Sequence, residues 1–443
     1  MSGGLQARCA GECNGALLES SDEEDDEENL TAAELMLLNP FDREAMPNFS
    51  SHRWRYMALF DTEHWAEHFA GHTFPTVSTS LTKGEATAIL RTMQECVLGH
   101  VGKRTAEERK RDEEALKSLK EKLVQLMSQL MEEAHAGSNP AYESWDGSSF
   151  FVRLGPRSPK DAPMHTSQPY GISKEKLKRM MDVVAADFGQ QPGQTPHDVL
   201  LRFQTVAARL LKISTPEEAL DLLLTSHRVL QDVSHSLDHV KSGFDVSLVV
   251  RTWEDTVALE REVRAFLVGG KVAAISQYDD QLHHPVVAQN RQQIVLAVLA
   301  AAEEIAPCLQ SAGFFADGTG KPVPVVADFL VLPTSHTGQP SWRAKLIELN
   351  PFGPMTGAAL FTWTHDRRAL QAGLDLFGDL HELEAACPPS RPSDLPACVS
   401  EEVISGVLFR YLSANPGNFA WEHLEVLWED YMQCAPASMV CRP

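Results

Sequence analysis

No CxxC pair occurs among the eight cysteines, which stand at positions 9, 13, 96, 308, 387, 398, 434 and 441. Zinc ribbons and disulfide frameworks need paired spacing, so neither is specified and the thiols are expected to be reduced and structural. GxSxG, HExxH and GxxxxGK[ST] are missing as well, and with them the diagnostic residues of serine hydrolases, zinc proteases and P-loop enzymes. The longest uninterrupted apolar run, Ile294–Ala302, is far shorter than the roughly 20 residues of a spanning helix, and no membrane segment is expected. Positive charge is scarce: 39 Lys and Arg face 61 Asp and Glu, a net charge of -22 with His neutral. No dense basic patch offsets this excess, so neither nucleic acid nor anionic lipid is expected as a direct partner. The segment MSGGLQARCAGECNGALLES has no basic stretch followed by an apolar one and carries Glu12 and Glu19; without a signal or transit peptide, the cytoplasm is the expected compartment.

The 443 residues, 43% hydrophobic and 23% charged, have ordinary globular composition and allow about three compact units, or one two-lobed domain with extensions. Residues 1–45 contain SSDEEDDEENL, in which every residue from Asp22 to Glu28 is acidic. Mutual repulsion predicts a disordered, solvated tail, and Ser20 and Ser21 beside the acids suit an acid-directed kinase or simply belong to a solubilising segment. From 103 to 135 the chain is rich in Glu, Lys, Arg, Leu and Met, with Leu116, Leu119, Leu123, Leu126, Leu130 and Ala134 alternating in steps of three and four. That spacing predicts a long helix with one apolar stripe, docked on its own domain or paired with a partner helix.

Ser214-Thr215-Pro216-Glu217-Glu218 supplies hydroxyl cap, first-turn proline and acids for a second helix. Ser247–Trp253 reads as a strand, and Arg261–Val268 and Lys271–Ser276 flank Gly269-Gly270, a hairpin signal because both glycines accept positive φ. A buried helix is expected at Gln289–Ala306, then strands at Val323–Leu332 and Ser341–Asn350. PPSRPSDLP reads as a linker, and Val403–Tyr411 and Trp421–Tyr431 as closing helices. The pattern is α+β with antiparallel sheet.

Chemistry concentrates in VVADFLVL and KLIELNPFG. Alternation puts Glu348 and Asn350 on one strand face with Leu349 on the other, and a hairpin could bring Asp328 beside them. Two carboxylates and an amide suit Mg2+, which takes hard oxygen ligands together with substrate phosphates; the Pro351-Phe352-Gly353 turn could equally just end an edge strand. His283 and His284 face opposite ways on extended chain and are expected to be exposed loop residues.

SLVVRTWEDTVALEREVRAFLVGGKVAAISQYDD, then VVADFL, then LIELNPFGPMTGAALFTW, in that order, resemble the cell-division-cycle protein 123 family of ATP-grasp proteins. FFVRLGPRSPKDA, LLLTSHRVLQDV, HWAEHF and PTVSTSL extend the resemblance over roughly residues 60–370. It implies an ATP-grasp-like two-lobed fold that holds ATP and Mg2+ between antiparallel sheets. The lobes would be 46–245, with the charged helix inserted, and 246–375, followed by a linker and helices over 376–443.

Carried over to this chain, Asp328, Glu348 and Asn350 take the metal positions, Glu348 standing where the family usually has Asp. Arg153 stands in place of a phosphate-contacting Lys, keeping the cation but changing its geometry. Val250, Arg251 and Trp253 match the strand and hinge flanking the nucleotide; Trp253 either covers adenine or is a core indole. Arg264 suits a phosphate or a salt bridge to Glu262 or Asp255. Lys160 and Asp161 match a family loop, although Gly155-Pro156-Arg157 before them do not.

The resemblance further implies a monomeric ATP- and Mg2+-binding factor that promotes assembly of translation initiation factor 2 through its gamma subunit, with no catalytic residue assigned. The alternative is an ATP-grasp enzyme, a carboxylate-amine ligase or kinase, with Arg157, Lys160 and Arg264 holding an acceptor carboxylate. A nucleotide-binding scaffold without turnover is the third reading.

Overall fold

A computed structural model of the protein describes residues 58–416, except 97–103, 137–141, 143–144, 165–169, 189–195, 239–243, 256–257, 315–323, 335–340, 354–355, 364–365, 367–369 and 371–397. In chain order its main elements are β1 (Thr76–Ser80), α1 (Lys83–Cys96), α2 (Ala106–His135), β2 (Phe150–Leu154), α3 (Lys174–Phe188), α4 (Pro196–Arg209), α5 (Pro216–Thr225), α6 (His227–Asp238) and β3 (Ser247–Thr252). They continue with β4 (Glu262–Val268), β5 (Lys271–Gln277), α7 (Arg291–Ser311), β6 (Val325–Thr334), β7 (Ser341–Pro351), β8 (Val399–Ile404) and β9 (Val407–Leu412).

The smaller sheet has the order β1-β3-β2, antiparallel throughout, and shares a core with the helices around it. Thr105 and Glu108 form a capping box that starts α2, satisfying two of its four orphan N–H groups. The stripe read from sequence buries Leu116, Leu119, Leu123, Leu126 and Leu130 in the smaller core, while Val124 stays 46% exposed on the outer side. Lys122 Nζ and Ser118 Oγ donate to Glu85 on α1 (2.7 and 2.8 Å), so α2 is docked on its own lobe. Leu123→Ala is expected to cost about 2–5 kcal/mol in urea denaturation; a cost under 1 kcal/mol would mean that the stripe is not part of the core.

The larger sheet runs β7-β6-β4-β5-β9-β8, antiparallel except for the parallel pair β5/β9. Gly269 and Gly270 (φ 60° and 80°) turn the β4–β5 hairpin as their sequence predicts. α7 covers this sheet, burying Ile294, Val295, Val298, Ile305 and Leu309 in the larger core. By length and composition alone α7 would suffice to cross a membrane; here its apolar face is occupied by the sheet.

Three expectations are corrected. Val403–Tyr411 forms parts of β8 and β9 rather than a helix, with Ser405 and Gly406 at positive φ between them. Every residue of β9 is buried, and a strand buried on both faces loses the alternation that distinguishes it from a helix. The change of sheet falls after Thr252 rather than at 245, since β3 pairs with β1 and β2. The larger core also draws on Phe60, Trp65, Ala66 and Phe69, and β8–β9 complete its sheet. The acidic tail, the proline-rich linker and the helix expected at Trp421–Tyr431 lie outside the described residues.

Candidate functional site: a carboxylate and guanidinium cleft between the sheets

A β-bulge sets the cleft's geometry. Asp328 pairs with Glu348 and Phe329 with Leu346, so Ile347 is the extra residue on β7. One extra residue reverses which parity faces the core: Leu346 and Leu349 both join the larger core, and Glu348 and Asn350 share the opposite face. The segment preceding β1 fastens the bulge. Leu346 N–H donates to the His72 carbonyl (2.8 Å) and Thr73 Oγ1 to the Leu346 carbonyl (2.7 Å).

Asp328, Glu348 and Asn350 converge as the alternation and hairpin predict. Asp328 is 2% exposed and accepts from Arg264 Nε at Oδ1 and from Arg264 Nη2 at Oδ2, both at 2.8 Å. The amide nitrogen of Asn350 donates to Oδ2 at 3.0 Å. Arg264 and Asp328 are direct cross-strand partners, so the bidentate pair is held within one sheet; the salt bridge expected to Glu262 or Asp255 goes to Asp328 instead. Arg264 Nη1 donates to the Gly357 carbonyl. A Cβ at Gly357 would stand 3.4 Å from that nitrogen, in ordinary van der Waals contact.

Glu348 is held from the other lobe. Arg153 Nη2 lies 2.6 Å from its Oε1, and the same guanidinium donates to the carbonyls of Leu154, Gly155 and Pro156 at 3.0–3.2 Å. Arg153 on β2 thus ties the smaller sheet to β7 of the larger. Burial opposes the Glu348 charge, but Arg153 and then Lys160 outweigh it and hold the carboxyl at about 2. Burial likewise opposes the charge on Lys160; Tyr278 and the carboxylates of Glu262, Glu348 and Asp328 override it and raise the ammonium above its usual range. Three carboxylates and three cations therefore meet here in near balance.

Beside this cluster a cavity of about 390 Å³ opens between the sheets, lined by Phe74, Phe151, Lys160, Arg251, Trp253 and Tyr278 among others. Trp253 is only half-buried; its ring lies 6.4 Å from that of Phe151 and its Nε1 donates to Asp255, so it presents a flat wall to the cavity. Arg251 is a latch: Nη1 donates to the Ile347 carbonyl (2.7 Å), Nη2 to Thr73 (2.6 Å) and Nε to Thr76 (3.1 Å). Burial, and then Arg153, lower its pKa to about 9, with Glu348 acting in the opposite direction. Val250 is not brought to the cavity; its side chain lies in the smaller core.

Several placements were not legible in the sequence. Tyr278, in the SQYDD stretch, carries both Lys160 Nζ and the Arg264 guanidinium 4.9 Å from its ring centre, a geometry favourable to cations. Arg157, one of the cations expected for an acceptor carboxylate, is tied to Asp232 through Nε at 2.8 Å. Asp161 accepts from Ser226 Oγ at 2.6 Å and anchors the loop rather than facing the cavity. His284 is corrected from exposed to buried: its Nε2 meets Asp279 Oδ2 at 3.0 Å. His283 is partly buried against the Leu412 carbonyl, because β9 comes alongside β5, which no local pattern announces. Asp61, Glu63 and His64 also gather ligand atoms within 4.8 Å of one another. Burial and then Glu63 push the Asp61 carboxyl up to about 8.

Two unequal sheets with a cluster of buried carboxylates and guanidinium groups beside a cavity between them define a cleft of the α+β class. Residues 195–376 match the family model described as D123, so that part of the chain is similar to that family. The match takes in Arg251, Trp253, Arg264, Asp328, Glu348 and Asn350, and leaves out Arg153 and Lys160. The translation initiation factor eIF2 assembly protein of Schizosaccharomyces pombe is 28% identical over 180 residues, 38% of this chain and 49% of that protein. The protein of the same name from Danio rerio is 28% identical over 181 residues, 40% of this chain and 44% of that protein. The chain thus spans about half the length of these curated relatives. Solved structures of Cdc123 from Schizosaccharomyces pombe, whole and C-terminally truncated, align with TM-scores of 0.37 and 0.40. They do so at 20% and 18% identity, covering 70% of this chain and 89% and 90% of theirs.

Proposed function

We propose that this chain is an ATP- and Mg2+-binding assembly factor of ATP-grasp type, a cytoplasmic monomer that promotes assembly of translation initiation factor 2 through its gamma subunit. The observation that carries the reading is the convergence of Asp328, Glu348 and Asn350 with Arg153, Lys160 and Arg264, a cluster from which Lys160 reaches the lining of the cavity. The donor set fits the group: carboxylate and amide oxygens suit Mg2+, and guanidinium and ammonium groups suit phosphates. Asp328, Glu348 and Asn350 would hold the metal, Lys160 and Arg264 the phosphates, and Trp253 with the apolar lining the base. Bound nucleotide would supply negative charge between the sheets. Arg153 and Arg251, which already join the sheets, would keep the closed arrangement, and differential affinity for open and closed states would provide the bias an assembly factor needs without turnover.

The names of the curated relatives support factor 2 as the partner. The ligase reading is weakened by Arg157, whose pairing with Asp232 takes away one of three cations for an acceptor carboxylate. The test is calorimetric titration of ATP with Mg2+, followed by ADP release and complex formation with the isolated gamma subunit. Saturable binding, little turnover and a gamma complex are expected. ADP release that depends on a small carboxylate or amine, without a gamma complex, would replace this reading with the ligase; absence of nucleotide binding would end both.

A further inference from the structure

The two carboxylates of the cleft are neutralised in different ways, and the difference has a consequence for metal entry. Glu348 is paired across the cleft with Arg153 of the smaller sheet, so any separation of the lobes releases it. Asp328 is paired with Arg264, its neighbour on the adjacent strand of the same sheet, and no lobe movement separates them. Both Asp328 oxygens accept from the guanidinium, one of them also from Asn350. Arg264 is bracketed further by the Gly357 carbonyl and the face of Tyr278. A divalent cation such as Mg2+ bonds carboxylate oxygen directly, at about 2.0–2.1 Å, and would meet a carboxylate whose charge Arg264 already neutralises and whose lone pairs Arg264 and Asn350 largely occupy.

We propose that Arg264 is a resident counter-cation of the Asp328 position: it competes with divalent metal for that carboxylate, and the metal enters only when a polyphosphate takes over the guanidinium. The coupling to polyphosphate rests on the nucleotide reading above; the competition at Asp328 does not. Arg264 is suited to the exchange because a guanidinium pairs as readily with a phosphate as with a carboxylate, through the same fork of N–H donors. The exchange needs little movement. A metal bound at Asp328 and a phosphate bound at Arg264 would be neighbours, so each removes the obstacle to the other, which is positive coupling between two ligands.

Mn2+ is the probe, followed by its electron paramagnetic resonance signal on the full chain, with folding checked by circular dichroism. The wild type should bind Mn2+ at least tenfold more tightly with ATP than alone. Arg264→Met should bind Mn2+ alone at least tenfold more tightly than the wild type, and Asp328→Asn in the same chain should remove the gain. Because Arg264→Met leaves a buried carboxylate unpaired and could fail to fold, Arg264→Lys, which keeps the charge but gives up the bidentate fork, provides a second comparison with an intermediate gain. Folded Arg264→Met or Arg264→Lys with no gain in Mn2+ affinity overturns the competition, and a wild type that binds ATP yet binds Mn2+ equally well with and without it overturns the coupling. A wild type that binds no nucleotide, while Arg264→Met gains Mn2+, sinks the nucleotide reading and leaves the competition standing.

Discussion

Arg153→Met is expected to lower stability by about 3–5 kcal/mol, the cost of leaving a buried charge without its partner, read as a fall in the urea midpoint. Arg153 is 2% exposed and serves Glu348 and three backbone carbonyls at once. Met fills much of the volume but replaces none of the donors, so Glu348 is left with Lys160 as the cation that most stabilises its charge. Against a typical total of about 5–15 kcal/mol, the loss is a large fraction. Adding Glu348→Gln should recover part of it, because a neutral amide costs less to bury than an unpaired carboxylate.

The same pair fixes a pH dependence. The Glu348 carboxyl stands at about 2 in the folded protein against 4.5 ordinarily. A depressed folded pKa contributes stability that is fully present above about 4.5 and is lost as the pH falls toward about 2. The difference in stability between wild type and Arg153→Met should therefore be largest at neutral pH and shrink across that acid window. A difference that stays constant down to the acid limit would show that Arg153 acts through its carbonyl contacts and not through Glu348.

The second large effect is on nucleotide affinity. Asn350→Ala and Asp328→Asn should each weaken Mg-ATP binding by at least tenfold, about 1.4 kcal/mol, in calorimetric titration. Asn350 is only partly buried and donates one hydrogen bond, to Asp328, so its removal should cost no more than about 0.5–1.5 kcal/mol of stability. Asp328→Ala is the poorer variant, since it strips the buried Arg264 of its counter-ion and mixes unfolding with binding; the Asn replacement keeps shape and an acceptor oxygen. Unchanged affinity in a folded Asp328→Asn, Asn350→Ala double variant would remove both residues from the nucleotide site.

Much of the fold was written locally. The capping box at Thr105 and Glu108, the Thr215 cap before Pro216 and the Gly269-Gly270 turn each depend on residues within a few positions of one another. The stripe from Leu116 to Leu130 and the shared face of Glu348 and Asn350 follow from the helix and strand periods, and both were legible. β9 was not, because a strand buried on both faces has no alternation to read.

By itself, then, the sequence determined the class of fold, the helix on the smaller lobe, the hairpins and the carboxylate–amide pair on β7, since each of these is a relation between near neighbours on a chain of fixed period. Only the tertiary structure decided that Arg264 meets Asp328 and not Glu262, that Arg153 crosses to Glu348, that Val250 turns into the core and that His284 is buried. Those outcomes depend on which strands lie side by side and on one bulged residue that reverses the parity of β7. An ion pair goes to the partner that geometry brings within reach, and sequence spacing carries no record of that choice.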